Sequence, residues 1–281
     1  MTATPNAAQP SPNKPDSKQP DPTALVPGGQ GRGRLSPALV TLGILTLFAW
    51  SWWSLDVEVA KFEGAGKRLA QFFSGLVPPD LTVMETVARS TLETLQIAYI
   101  GTVLSAILSL GAGLIAASNL TPAWVHQPMK WVLGMMRGIP LILVALVAVV
   151  AIGFGALAGV LAITFHATGM LGKFYAEAFE NADPAPLEAL ESVGASWAQR
   201  IRFGALAQVA PDLVRDTLFR FELNFRESLV LGLVGAGGIG FYIQLYARSF
   251  QYEKVATLTV VVLLMVVAIE QISTWCRRRL R

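Results

Sequence analysis

Hydrocarbon about 30 Å thick is crossed by a helix of about 20 mostly apolar residues, and within it every backbone polar group must be satisfied inside the segment. Stretches of that kind recur along this chain. They run about Leu39 to Leu55, Leu92 to Ala117, Trp131 to Ile152, Ala156 to Phe174 and Val255 to Ile272, with a fifth in chain order that follows Pro211 and ends before Val234. They predict an all-α polytopic membrane protein with about six transmembrane helices. Composition agrees: 15% of the residues are charged, against about 25% in soluble domains. The expected transmembrane domain covers 37–281. Before it, residues 1–36 form a tail rich in proline, glycine, asparagine and lysine that cannot bury enough apolar surface to order itself.

Basic residues give these spans a direction. Arg32 and Arg34 precede the first span, and Lys130 and Arg137 start the third. Lys173, Arg200, Arg202 and Arg215 lie between the fourth and fifth, and Arg277, Arg278, Arg279 and Arg281 follow the last. If both termini are cytoplasmic, all of them fall on one side, the positive-inside pattern of a cell membrane protein. The loops around 56–91 and 235–254 then lie outside. A single cysteine, Cys276, and two histidines, His126 and His166, leave no basis for a disulfide or a cysteine- or histidine-rich metal site. No cofactor and no nucleic acid partner are expected, and lipid is the surrounding medium.

The stretch Val234-Gly-Ala-Gly-Gly-Ile-Gly240 contains G-x-G-x-x-G. A dinucleotide-binding turn would need a strand before it, a helix after it and an acid about 20 residues on. Here it follows a membrane span, and no βαβ pattern surrounds it. Gly235, Gly237, Gly238 and Gly240 instead read as a turn that needs φ > 0 or close backbone approach. That turn is either a simple helix stop or part of a permeation path. GAGKR at 64–68 lacks the spacing and the hydroxyl residue of a phosphate-binding loop, so ATP is not bound here in that way.

Between the fourth and fifth spans lies a long loop, about 175–210, containing PLEALESVGASWAQRIRFGALAQVAP from Pro186 to Pro211. It predicts a short helix opened by proline, a break at Gly194 and a second short helix over about Ser196 to Phe203. Such an element suits either the membrane surface or docking into another protein. Glu188-Ala189-Leu190, with Gly194 four residues on, resembles the EAA loop of ABC-importer permeases, and Leu206 matches the leucine of the I-x-L-P that follows it in that family. The isoleucine and proline of that pattern are absent here, where Gly204 and Ala207 stand. Further matches are PPD…TLQIA within 72–98, RGIP at 137–140, GALAGVLAITFHATGMLGK at 155–173 and RFELNFRESLVLGLVGAGGIG at 220–240. From about Phe72 onward the chain is similar to the phosphonate-type subfamily of these permeases. Where several members carry an acid after the proline, this chain has Leu141.

The resemblance implies a type I ABC importer permease working by alternating access in a bacterial inner membrane, for phosphonate, phosphite or a related small phosphorus oxyanion. It implies a permease homodimer, two cytoplasmic ATPase subunits and a periplasmic or extracellular substrate-binding protein. Glu188, Ala189 and Gly194 would couple to the ATPase. A permease of the same type for another solute, such as an amino acid, shares RGIP and VGAGGIG. An ion-coupled secondary transporter would show inverted repeats, and a lipid-phosphate enzyme would cluster its histidines or acids; neither pattern is evident.

The fifth span is the most charged. It holds Arg215, Asp216, Arg220, Glu222, Arg226 and Glu227. At roughly 2.5–3.5 kcal/mol for a charge at the bilayer centre, the last five would cost on the order of 15 kcal/mol facing lipid. They must face protein, water or one another. Helical spacing sets Asp216, Arg220, Asn224 and Glu227 on one side, and Glu222 and Arg226 as a separate i,i+4 pair. Asp216–Arg220 and Glu222–Arg226 can be structural pairs, or the arginines can draw an oxyanion through, since guanidinium matches phosphoryl oxygens. The candidate path residues are Arg220, Glu222, Asn224, Arg226 and Glu227, with His166 and Gln96 on other spans. For His166, an interior hydrogen-bonded role is the competing reading.

Overall fold

The computed structural model describes residues 37–55 and 62–279, so the expected tail at 1–36 lies outside the described residues. The described residues fall into two units, divided between Gly64 and Ala65. The first contributes α1 (Pro37–Ser54), none of whose residues is buried. Apolar all round and capped by Trp50, Trp52 and Trp53, α1 has the surface of a helix held in lipid with its aromatic end at the interface.

The second unit is all helical among the described residues. It starts with the amphipathic α2 (Ala65–Ser74) and a short 3₁₀ turn at Leu81–Val83, where Asp80 caps through its side chain. Hydrogen bonds from the Thr82 side chain and backbone hold the Asp80 carboxyl below the usual carboxylate range. There follow α3 (Met84–Ala116), α4 (Ala123–Gly138), α5 (Leu141–Ile152) and α6 (Ala156–Glu180). After them come α7 (Pro184–Ser192), α8 (Trp197–Gln199), α9 (Leu206–Gly232), α10 (Ile239–Arg248) and α11 (Tyr252–Arg279). The core is the packing of α3 on α6, with α9 laid against both. Small residues let these backbones close. A Cβ on Gly113 would fall 2.7 Å from Tyr175 Cβ, and one on Gly169 would fall 2.8 Å from Met136 Cβ. That is how membrane helices associate where no hydrophobic force separates them from lipid.

Four of these helices, α1, the run Leu81–Ala116, α6 and α11, are long and apolar enough to cross a membrane. The expected third span is not one helix. Residues 131–152 divide into α4 and α5, which meet at an 85° bend. The cause is in the text RGIP. Pro140 cannot continue a helix, and Ile139 before it is forced to extended backbone at φ −82°, ψ 122°. The apolar run is continuous across that point and conceals the break. The expected fifth span, α9, is long enough to cross but falls outside the apolar set because of its charges.

Another correction concerns the loop. The second short helix and the fifth span are one continuous rod from Trp197 to Gly232: α8, a π-helical stretch at Arg200–Ala205, then α9. Pro211 lies inside α9 rather than at its start. No residue between Gln199 and Leu206 is a strong breaker except Gly204, and the widened turn carries the chain through. Since α6 also extends to Glu180, the non-spanning segment is shorter than the expected 175–210.

Candidate functional site

Arg220 is the largest fully buried side chain, 1% exposed, on the face of α9 that meets α6. Its Nη2 donates to Glu227 Oε2 at 2.7 Å and lies 3.1 Å from His166 Nδ1. Because guanidinium only donates, that ring nitrogen is the acceptor and the histidine proton sits on Nε2. Nη1 donates to Met170 Sδ at 3.3 Å, a weak acceptor, and the buried Nε has no partner. So a five-donor fork uses one carboxylate oxygen, an imidazole and a thioether. One turn on, Asn224 is wholly buried and its Nδ2 donates to Thr102 Oγ1 at 2.8 Å. That hydroxyl is already committed as a donor to Ala98 O at 2.6 Å, which fixes the amide's orientation and leaves Asn224 Oδ1 as an unpartnered acceptor. An unmet donor and an unmet acceptor one turn apart on α9 mark polar chemistry that the fold alone does not complete.

Of the candidate path residues, the structure brings together Arg220, Glu227 and His166, with Asn224 one turn along. It does not bring in the others. Glu222 and Arg226 lie on the opposite side of α9, paired at 2.8 Å, and form a seam with α11. Arg277 reaches Glu222 at 3.2 Å, and Arg226 also reaches Glu270 at 3.2 Å. Gln96 is exposed on α3, apart from the Arg220 group. The expected pair Asp216–Arg220 is replaced. Arg220 takes Glu227, two turns on, while Asp216 lies 3.8 Å from Arg215. Asp216 instead borders a cavity shared with Glu177 and Asp212. Met170 and Thr102 were not singled out by sequence, and nothing in their spacing distinguishes them from packing residues.

The glycine turn closes the far end of α9. Gly235, Gly237 and Gly238 have φ of +88°, +82° and +77°, conformations that side chains resist. Gly240 meets the other requirement, close backbone approach. It lies inside α10 at ordinary φ, but a Cβ there would fall on the carbonyl oxygen of Leu229. The turn is tied to its neighbours by Gly155 N–H donating to Gly235 O at 3.0 Å and Ile239 N–H donating to Thr94 Oγ1 at 2.8 Å. Glu93, Phe154, Gly237 and Tyr242 help line a cavity of about 210 Å³ beside it.

At the other end, Asp183 caps α7 by accepting from Ala185 N–H at 2.9 Å, and Pro184 occupies the first turn. Gly194, at φ +79°, reverses the chain. Leu187 and Leu190 pack over Gly204, and Arg200 bonds Glu191 at 2.6 Å, so α7 is fastened to the foot of the α9 rod. Glu188 and Ala189 are exposed, as are Val193 and Trp197, and together they present an outward face.

Known proteins share this pattern. Residues 109–281 match the family described as "Binding-protein-dependent transport system inner membrane component". Over 231 residues, 82% of this chain and 82% of the other, the sequence is 41% identical to HtxC of Stutzerimonas stutzeri, a permease protein named for a phosphite transport system. It is 34% identical over 249 residues to the phosphite transport system permease protein PtxC of the same organism, covering 88% of this chain and 90% of that one. Among solved structures, the fold is similar to the inward-facing MetNI methionine ABC transporter, with a TM-score of 0.64 at 20% identity over 72% of this chain and 99% of that one.

Proposed function

The chain belongs to the binding-protein-dependent transport system inner membrane components, and from that premise we propose that its solute is phosphite, a phosphonate or a related small phosphorus oxyanion. It is a transporter subunit, not an enzyme, and ATP is hydrolysed on a separate subunit. Its family works with ATPase subunits and a substrate-binding protein. In the proposed assembly two copies of this chain stand over two cytoplasmic ATPases, with one binding protein outside and both termini inside. Glu188, Ala189 and the Gly194 turn take up the ATPase movement, and the α9 rod carries it to the glycine turn.

The observation that carries the solute assignment is Arg220: a guanidinium 1% exposed in a membrane helix, with its Nε–H unpartnered and one Nη spent on a thioether. A planar fork suits a tetrahedral oxyanion, whose oxygens can accept two donors at once. The relatives named for phosphite transport support the same class. Glu222 and Arg226, on the α11 side, serve packing in this reading.

The test is uptake into proteoliposomes holding the whole importer. Phosphite or methylphosphonate is expected to accumulate with ATP, and Arg220→Gln to reduce the rate by about tenfold or more, the loss of one charge-assisted contact, with membrane-inserted protein unchanged. Uptake of methionine but of neither phosphorus compound would overturn the assignment. If Arg220→Gln loses inserted protein in proportion to uptake, Arg220 is a packing residue.

A further inference from the structure

The two partners of the Arg220–Glu227 bond are unlike. The Arg220 side chain is 2% exposed and the Glu227 side chain 28%, so the cation is fixed and the carboxylate is the end that can leave. Their contact is a single one, Nη2 to Oε2, and it leaves Nε unpartnered. Charge adds a constraint. One guanidinium balances one carboxylate, and an entering oxyanion beside an undisturbed pair would place two negative charges against one positive in a medium where such repulsion is strong. Yet an importer loses its solute every cycle, and a buried guanidinium left alone is strongly destabilising.

We propose that Glu227 is a resident counter-anion: its carboxylate holds the oxyanion's place on Arg220 between transport events, and the solute passes by taking that place. The proposal rests on Arg220 being the solute's fork. Because the competitor is tethered to the same helix two turns away, it is always present, and it keeps the solute's hold on Arg220 weak. A translocation site needs that weakness, since it must let go as readily as it binds. His166 and Met170, on α6, stay with the guanidinium throughout and keep it aimed while its anion changes.

The experiment measures binding of radiolabelled phosphite and methylphosphonate to the purified permease–ATPase complex in nanodiscs, without the binding protein. Removing an internal competitor raises apparent affinity by the factor the competitor imposed. Glu227→Gln is therefore expected to bind about tenfold more tightly than wild type. Affinity equal to or weaker than wild type overturns the proposal. Should Glu227→Gln fail to accumulate, Glu227→Asp draws the carboxylate back by one carbon; a smaller gain supports the proposal and no gain overturns it. Arg220→Gln separates the two levels. If it binds as wild type does, the fork itself is misassigned, and the proposal falls with it. If it abolishes binding while Glu227→Gln leaves affinity unchanged, the fork stands and only the counter-anion falls.

Discussion

The backbone N–H of Ile239 donates to Thr94 Oγ1 at 2.8 Å, so the first residue of α10 hangs from a buried hydroxyl of α3. The same hydroxyl donates to Ser90 O at 2.8 Å, which leaves its lone pairs facing the glycine turn.

Thr94→Val keeps the shape and removes the acceptor. A buried N–H left unmet costs about 1–3 kcal/mol. Lower uptake and a lower melting temperature are expected for Thr94→Val, and near wild-type behaviour for Thr94→Ser. Equal melting temperatures in the two variants would mean that the turn is held by Gly155 and its glycines without this bond.

Gly194 reverses the chain at φ +79° between α7 and the rod. A left-handed residue with a side chain costs roughly 1–2 kcal/mol, and a β-branched one resists more. In Gly194→Val, α7 should lose its seat over Gly204 while the spans remain inserted. ATP hydrolysis by the assembled importer is expected to persist and uptake to collapse. Coupled hydrolysis and uptake at wild-type ratio would remove this turn from the transmission path.

Glu222 answers two cations, Arg226 at 2.8 Å and Arg277 at 3.2 Å. Its removal takes a buried carboxylate from two partly exposed cations, of which Arg226 keeps Glu270 and Arg277 is left without its partner, at about 1–3 kcal/mol. The amount of folded protein should fall sharply in Glu222→Ala and return only in part in Glu222→Ala/Arg226→Ala, because Arg277 still lacks its partner. Adding Arg277→Ala should return more. Immunodetection of the membrane fraction, scored beside uptake, measures this; full recovery in the double variant would show Arg277 to be a bystander.

The all-helical architecture was legible because bilayer crossing imposes a length and a composition that no other local structure mimics. The break at Pro140 was legible too, but eighteen apolar residues between Trp131 and Ile152 read as continuous when only hydropathy is weighed. The pairing of Arg220 was not legible. Spacing offers Asp216 one turn before and Glu227 two turns after, and does not say which of them the guanidinium meets. Likewise His166 and Met170, one turn apart on α6, become a site only because Gly169 and Gly172 let α4 press that helix from behind. Close backbone approach leaves glycine in the sequence but does not say to what.

From Trp197 to Gly232 the chain is helical throughout, roughly 50 Å at 1.5 Å per residue. A rod of that length has no preferred direction. In the proposed assembly, whatever nucleotide on the ATPase does at its foot to favour one setting of the glycine turn, a binding protein that favours that setting must do, to the same extent in free energy, for nucleotide. In that assembly the coupling is therefore readable from either end: loaded binding protein outside would tighten nucleotide binding at the foot by the same factor that nucleotide tightens the binding protein.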